Sequence, residues 1–329
     1  MNLKNKLTTS FFATMLAIGF AGSASAGGML RAPVPDWTGG AVTCEVIHYV
    51  LENEMGYKVK RITMPSGPGV AEGERAGDID FHCESWPSYS TTNDIYIKEW
   101  GGDGSIVKLG DAGPIGTSSY WIPSYLIEKN GGPIKNEPKL SDLNDHVDLF
   151  KGMDTGAKGR LLGCPTPAWE CRDQDRLDMN GVNFKAIELG SETAHWAEAQ
   201  AAYKRKEPFV LYAWTPHWIF AVLDLVSVEL PAFGSVEWPA SGWDVDITYN
   251  AGRPGMLTEH PEASQMIMNA SITNVQQAGM IKAIDIDGRD IEEVVAEWME
   301  ANRDVWSSWV PAVSYTHLRA HETEADVVC

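Results

Sequence analysis

The stretch MLRAPVPDWTGGAVTCEVIHYVLENEMGYKVKRITM, residues 29–64, decides the fold. It predicts a strand over residues 29–34, a helix over residues 41–55 with apolar positions at helical spacing, and a strand over residues 58–64. Short strands joined by a helix are typical of parallel pairing with a right-handed crossover. The stretch therefore predicts an α/β protein in which helices flank a mostly parallel sheet.

A similar alternation of strands and helices returns after about residue 118. Strands are predicted near residues 161–163, 184–188 and 209–213, and helices at residues 170–179 and 191–206. A body of about 285 residues is large for a single hydrophobic core and long enough to form two. We expect two α/β lobes, the first made of residues 27–118 and 240–312 and the second of residues 119–239.

The two ends of the chain differ from this body. Residues 1–26 contain two lysines, an apolar run from Phe11 to Phe20 and small residues before position 27, a pattern typical of a secretory signal peptide. The run is too short for a membrane-spanning helix and no later stretch is long enough, so we expect a soluble periplasmic protein without a lipid anchor. Residues 313–329 show no apolar period and are predicted to be a non-native or disordered tail.

The composition is strongly acidic. The chain has 45 Asp and Glu residues against 26 Lys and Arg, which gives a formal net charge of −19 at pH 7. This charge disfavours nucleic acid and anionic membrane surfaces as partners, and it suits a protein that meets cationic solutes.

Four cysteines lie in the body of the chain, and export to an oxidising compartment favours disulfide bonds between them. The short spacing from Cys164 to Cys171 predicts one bond. Cys44 and Cys83 are expected to form the other and to brace the loops that carry two of the tryptophans discussed next. A zinc site of four cysteines remains an alternative, although the chain has no C-x-x-C pair to start one.

The chain contains 13 tryptophans, more than a core of this size needs. Four of them follow predicted turns or strand ends, namely Trp37, Trp86, Trp169 and Trp214. A trimethylammonium group donates no strong hydrogen bond and is held by π faces, of which three or four at about 0.5–2 kcal/mol each supply much of a micromolar affinity. We therefore predict an aromatic box, with ordinary core packing as the alternative for each residue. Five other tryptophans are predicted to lie in the core, namely Trp100, Trp196, Trp298, Trp306 and Trp309.

Motifs of enzymatic chemistry are absent from the sequence. There is no G-x-S-x-G elbow, no H-E-x-x-H helix, no Walker A loop and no G-x-G-x-x-G after a strand. Cys171 could act as a nucleophile with His195 or His217 as its base, a pairing that only the geometry of the fold can test. The predicted disulfide would leave Cys171 without a free thiol. These absences favour a binding protein without cofactor or metal.

Three stretches resemble the substrate-binding proteins of ABC importers for glycine betaine, choline and related osmolytes. They are GDID at 77–80 leading to Trp86, GC at 163–164 with WEC at 169–171, and YAWTPHW at 212–218. Their order and approximate spacing are those of the family, and the resemblance covers about residues 29–311. It implies a two-lobed type II periplasmic binding protein, a Venus flytrap that closes on a ligand between its lobes.

The resemblance also implies which residues bind the ligand. Trp86, Trp169 and Trp214 match box positions by motif, and Trp37 matches less closely. In betaine binders a ligand carboxylate is held by the backbone N–H groups that correspond here to Glu170 and Cys171. Tyr120, and His217 within the third motif, are further expected ligand-binding residues.

A carboxyl group beside the box would change the preferred ligand. Glu84 or Glu170 would repel a ligand carboxylate, attract a cation, or donate a hydrogen bond to an N-oxide when protonated. Trimethylamine N-oxide and choline are therefore favoured as ligands over glycine betaine, unless both glutamates point to solvent. The predicted function is that of a monomeric binding protein that delivers such a ligand to the permease subunits of an ABC importer.

A second class of function stays open at the level of the sequence. Tryptophan platforms and abundant acidic residues also suit a secreted carbohydrate-active hydrolase, which needs two carboxyl groups about 5–10 Å apart across a groove.

Overall fold

The computed structural model describes residues 27–89 and 95–312. The predicted signal peptide, residues 1–26, and the predicted tail, residues 313–329, lie outside this part of the chain. Within it, none of the helices combines the length and the apolar character that a membrane crossing requires.

The first elements have the predicted order of strand, helix and strand. Strand β1 spans Met29–Val34, helix α1 spans Thr38–Asn53, and strand β2 spans Lys58–Thr63. The strands pair in parallel from Met29 opposite Lys58 to Val34 opposite Thr63. One face of α1 is apolar at helical spacing and is buried, which explains why the helix packs on the strands.

The remaining strands form one large sheet. They are β3 (Phe81–Ser85), β4 (Val107–Pro123), β5 (Gly159–Leu162), β6 (Phe184–Ile187), β7 (Val210–Thr215), β8 (Leu225–Val228) and β9 (Asp246–Gly252). Their order across the sheet is β3-β9-β4-β7-β5-β6, and β8 pairs with β4. The pairs β5–β6 and β5–β7 are parallel, whereas each pair that includes β4 or β9 is antiparallel. The sheet is therefore mixed rather than mostly parallel.

The difference from the expected sheet comes from β4, a strand of 17 residues that the sequence pattern did not predict. Its sequence contains Gly110, Gly113, Pro114 and Gly116, and such residues normally interrupt a strand. Here the pairing with β9 tolerates them, because its register shifts between Lys108 and Asp111 and again before Ile115.

Strand β4 also changes partners along its length. Its residues 107–116 pair with β9, and its residues 117–123 pair with β7 and β8. The predicted lobe boundary after residue 118 lies two residues beyond the change from Gly116 to Thr117. The division into lobes remains a prediction, and β4 would be the strand that runs through both.

Further helices cover the sheet. They are α2 (Pro68–Ala76), α3 (Asp173–Met179), α4 (Glu192–Lys204), α5 (Ile219–Val222), α6 (Met256–Glu259), α7 (Pro261–Asn269), α8 (Asn274–Asp285), α9 (Ile291–Ala301) and α10 (Arg303–Trp306). Helix α1 packs against α8 and α9. The predicted core tryptophans Trp196, Trp306 and Trp309 are buried, and Trp100 and Trp298 are partly buried against the core.

Candidate functional site

A cavity of about 110 Å³ opens where β1, α2, β3 and β7 end or begin near one another. The four tryptophans of the predicted box and both predicted glutamates lie on its wall. The lining residues are Pro33, Pro35, Trp37, Ser66, Gly67, Pro68, Val70, Ala71, His82, Cys83, Glu84, Ser85, Trp86, Tyr89, Trp169, Glu170, Tyr212 and Trp214. The cavity wall thus combines residues that lie far apart in the sequence, from Pro33 to Trp214.

Each box tryptophan is placed by the end of a secondary-structure element. Trp37 is the extended residue that directly precedes α1, and Trp86 directly follows β3. Trp169 ends the 3-10 turn Pro167–Trp169, whose first turn is capped by the side chain of Thr166. Trp214 lies one residue before the end of β7.

The indole rings meet edge to face. The Trp169 ring centroid lies 5.7 Å from that of Trp37 and 5.5 Å from that of Trp214, at interplanar angles of 74° and 77°. The Trp169 Nε1 donates a hydrogen bond of 3.0 Å to Asp36 Oδ1, which fixes the orientation of this ring. Roughly perpendicular faces around one space are the arrangement that a quaternary ammonium group requires.

Glu84 is the buried acid of the cavity wall, with 1% of its surface exposed. Its Oε2 accepts hydrogen bonds from Thr43 Oγ1 and from Gln277 Nε2, the latter at 2.5 Å, and its Oε1 accepts one from Trp86 Nε1 at 3.3 Å. Burial raises the pKa of this carboxyl to about 7, although the hydrogen bonds from Thr43, Trp86, Trp37 and Gln277 lower it. Both protonation states are therefore populated near neutral pH.

The backbone at Glu84 is strained. Its φ of 51° lies in the left-handed region that non-glycine residues seldom adopt, and the register of β3 against β9 shifts between His82 and Ser85. The Glu84 N–H donates to Asn250 Oδ1 at 3.3 Å. Strain of this kind costs about 1–3 kcal/mol and is concentrated at functional sites. Glu84 lines the cavity at this kink.

Glu170 lies on the same wall but in a different setting. It is half-buried, has a φ of 56°, and directly follows Trp169 as the C-cap residue of the turn. Its N–H donates to the Pro167 carbonyl oxygen at 3.2 Å. The N–H that the resemblance implies for a ligand carboxylate is therefore used within the turn. Cys171 is buried and does not line the cavity.

Tyr120 and His217 also lie away from the cavity wall. Tyr120 is fully buried on β4 and its hydroxyl donates to Asp173 Oδ1 at 2.7 Å. The His217 ring lies 5.1 Å from the Trp214 ring, and its Nε2 is 3.3 Å from Glu192 Oε1. Neither residue lines the cavity, although Tyr120 pairs with Tyr212 across the sheet and His217 contacts Trp214.

Among the polar residues on the wall that were not predicted from the sequence are His82, Tyr89 and Tyr212. The hydroxyl groups of Tyr89 and Tyr212 hydrogen-bond each other, and that of Tyr89 donates to Ser118. His82 and Tyr212 each stand two residues before a wall residue of the same strand. The strand period of two places Tyr212 on the face of Trp214. In β3 the residues from His82 to Ser85 all line the cavity, so the period does not select His82 there.

The structure contains disulfide bonds between Cys44 and Cys83 and between Cys164 and Cys171. The first joins α1 to β3, directly before Glu84. The second closes the loop that carries Trp169.

Close contacts join the two predicted lobes beside the cavity. The Thr38 N–H, in the first turn of α1, donates to Glu192 Oε2 at 2.8 Å. Gly67 has a φ of 125°, and a Cβ atom there would lie 2.1 Å from the Ala168 carbonyl oxygen. Only glycine fits at this position, so the turn before α2 and the turn that carries Trp169 touch backbone to backbone.

The fold and the site define a solute-binding protein. The family of substrate-binding domains of ABC-type glycine betaine transport systems matches residues 29–301, and the chain belongs to this family. The trimethylamine N-oxide-binding protein of Pelagibacter ubique is 25% identical over 288 residues, 84% of this chain and 88% of that protein. The glycine betaine/proline betaine-binding periplasmic protein of Salmonella typhimurium is 23% identical over 259 residues, 71% of this chain and 75% of that protein.

Solved structures confirm the type II periplasmic binding fold. An ABC-transporter choline-binding protein in complex with choline superimposes with a TM-score of 0.70 at 20% identity, over 89% of this chain and 97% of that one. Lactococcal OpuAC in its closed form with glycine betaine gives a TM-score of 0.67 at 17% identity, over 86% and 100% of the two chains. The family consists of extracytoplasmic solute-binding components of ABC transporters. The hydrolase alternative receives no support from it.

Proposed function

We propose that this chain binds trimethylamine N-oxide in the box of Trp37, Trp86, Trp169 and Trp214 and delivers it to the permease subunits of an ABC importer. The trimethylammonium head would contact the indole faces, and the N-oxide oxygen would accept a hydrogen bond from protonated Glu84.

The observation that carries this proposal is the buried carboxyl group of Glu84 on the wall of an otherwise aromatic cavity. With a pKa of about 7, this group keeps a proton that it can donate to an N-oxide oxygen. Thr43 can adapt to the protonated form, because its hydroxyl also lies 3.3 Å from the Gly39 carbonyl oxygen and can donate there. The name of the Pelagibacter ubique relative supports the same ligand.

Glycine betaine fits this wall less well. Its carboxylate would meet a buried acid, and two like charges in a desolvated site repel each other. The N–H group of Glu170, which the resemblance offers as a carboxylate donor, already donates to Pro167. We therefore expect betaine to bind more weakly than the N-oxide.

Choline is the second candidate ligand. It carries a net positive charge, which ionised Glu84 would stabilise, and its hydroxyl can hydrogen-bond with the same carboxylate. The similar fold of a choline-binding protein with choline bound supports this candidate.

Hinge closure is the proposed mechanism. Residues 27–118 and 240–312 would supply Trp37, Glu84 and Trp86, and residues 119–239 would supply Trp169 and Trp214. A ligand that contacts both sets favours the closed state by its differential affinity. The hydrogen bonds from Trp169 to Asp36 and from Thr38 to Glu192 would form on closing and break on release.

The test is calorimetric titration of the chain with trimethylamine N-oxide, choline and glycine betaine, followed in parallel by tryptophan fluorescence. We expect saturable micromolar binding of the N-oxide, weaker binding of choline and the weakest binding of betaine. The neutral choline isostere 3,3-dimethyl-1-butanol is the matched control, and it should bind at least about tenfold more weakly than choline because it lacks the charge. Tightest binding of betaine, or no binding of any of the three, would refute the proposal.

A further inference from the structure

Three potential metal ligands meet beside the cavity, and one of them, Cys83, is part of its wall. The sulfur atoms of Cys44 and Cys83 and one ring nitrogen of His48 all lie within 4.8 Å of one another, and all three residues are buried. Cys44 and His48 are four residues apart on α1, so they share one face of this helix. Cys83 reaches the same point from β3.

The imidazole of His48 has one nitrogen available. Its Nδ1 lies 3.4 Å from Glu45 Oε2, whereas its Nε2 is buried without a hydrogen-bond partner among the described residues. A buried polar atom without a partner costs about 1–3 kcal/mol, so the position calls for an explanation. A metal ion bound to Nε2 would satisfy this atom.

The surroundings of His48 also match those of metal-ligating histidines. Such a histidine usually donates its second N–H to a carboxylate, which fixes the ring and its tautomer. Glu45 supplies that carboxylate, and Arg61 Nη2 holds Glu45 Oε1 at 2.6 Å. Neither interaction is needed for a disulfide.

We propose that the reduced form of the Cys44–Cys83 pair, together with Nε2 of His48, binds one zinc ion. Two thiolates and one imidazole are a ligand set that zinc prefers, at about 2.3 Å from sulfur and about 2.0 Å from nitrogen. A tetrahedral site then needs the two sulfur atoms about 3.8 Å apart, so each moves by less than about 1 Å when the disulfide opens. The fourth position is left for water or another ligand.

The disulfide and the zinc ion are alternatives at one place. A dithiol or phosphine reductant transfers two electrons, the S–S bond breaks, and each sulfur takes up one proton while the reductant is oxidised. Zinc binding then displaces the two thiol protons to solvent. Either state ties α1 to β3, so the zinc form would hold together a chain whose disulfide has not formed.

The experiment compares the oxidised and the phosphine-reduced full chain by titration with Cd²⁺, whose thiolate complexes absorb in the ultraviolet. Cys329 is replaced by Ser in all samples so that it contributes no thiol. We expect one equivalent of tightly bound Cd²⁺ after reduction and none before it. The matched controls are two double variants, Cys44→Ser with Cys83→Ser, which should lose the site, and Cys164→Ser with Cys171→Ser, which should keep it.

Two further variants separate the proposed site from a pair of thiols alone. His48→Phe should weaken binding to the reduced chain by at least about tenfold, and Glu45→Gln by about tenfold through the orientation of the ring. Melting curves of the oxidised variants establish that each still folds. Zinc should raise the melting temperature of the reduced wild type and of the reduced Cys164→Ser, Cys171→Ser variant, and should not raise that of the Cys44→Ser, Cys83→Ser variant. Equal affinity in His48→Phe, or a stoichiometry that follows Cys164 and Cys171, would overturn the proposal.

Discussion

The protonation of Glu84 should give two ligands opposite pH dependences. An N-oxide needs the protonated carboxyl as a donor, whereas choline needs the carboxylate as a counter-ion. With a pKa of about 7, the protonated fraction falls from about 10/11 at pH 6 to about 1/11 at pH 8, and the ionised fraction rises by the same amounts. Because the apparent Kd is the intrinsic Kd divided by the competent fraction, affinity for trimethylamine N-oxide should fall about tenfold from pH 6 to pH 8. Affinity for choline should rise about tenfold.

The assay is calorimetry at pH 6, 7 and 8 in pairs of buffers with different ionisation enthalpies. At pH 7 the site is half protonated, so N-oxide binding should take up about half a proton and choline binding should release about half a proton. Glu84→Gln is the matched variant, since its amide stays neutral and still donates a hydrogen bond. It should bind the N-oxide with no pH dependence in this range and should bind choline weakly throughout.

A second titrating group lies near the cavity and must be distinguished from Glu84. Burial raises the pKa of Asp246 to about 6, and its carboxylate accepts hydrogen bonds from the backbone and hydroxyl of Ser88. If closure depended on Asp246, both ligands would shift in the same direction. The same slope for both ligands, or a slope that persists in Glu84→Gln, would therefore refute the role given to Glu84.

Three other outcomes follow from the structure. The pKa of Glu84 is raised from 4.5 to about 7 in the fold, so its contribution to stability is complete below pH 4.5 and is lost as the pH rises through 7. A pKa difference of about 2.5 units corresponds to about 3 kcal/mol of folding free energy, at about 1.36 kcal/mol for each unit. Urea unfolding without ligand at pH 5 and pH 8 should show a loss of stability in the wild type that exceeds the loss in Glu84→Gln, where Asp246 still titrates, by about 2.5 kcal/mol. Trp169→Ala should weaken ligand binding at least about tenfold in a fluorescence titration because one π face is lost, while Trp298→Ala, a tryptophan outside the cavity, should leave it unchanged. Glu192→Ala should increase the ligand dissociation rate several-fold in stopped-flow measurements with little change in association, because the Thr38 N–H loses its partner across the cleft; an unchanged dissociation rate would contradict a role in closure.

The sequence predicted those parts of the fold that local patterns specify. The strand, helix and strand at the N-terminus follow from apolar periodicity, and the structure forms them with ends shifted by no more than three residues. Strand β4 was not predicted because its glycines and Pro114 are typical of loops. In the structure, pairing with β9 holds these residues in a strand. Long-range pairing overrode local propensity there.

The site was predictable in its aromatic part and not in its polar part. Strand and turn ends indicated where the tryptophans point, whereas the choice between Glu84 and Glu170 depended on burial. Glu84 is buried by contacts with Thr43 and Gln277, which are 41 and 193 residues away in sequence. No local pattern reports such contacts. Tyr120 and His217 do not line the cavity, although His217 follows Trp214 by only three residues, because proximity in sequence does not determine which way a side chain faces.

The two disulfide bonds have a consequence for the entropy of binding. The bond between Cys44 and Cys83 locks the helix that begins after Trp37 to the strand that ends beside Glu84, and the bond between Cys164 and Cys171 constrains the turn of Trp169. Each half of the cavity is thus pre-organised on its own, before any solute arrives. In the proposed hinge closure, the ordering that remains for the ligand to impose would be the motion that brings the part with Trp169 onto the part with Glu84.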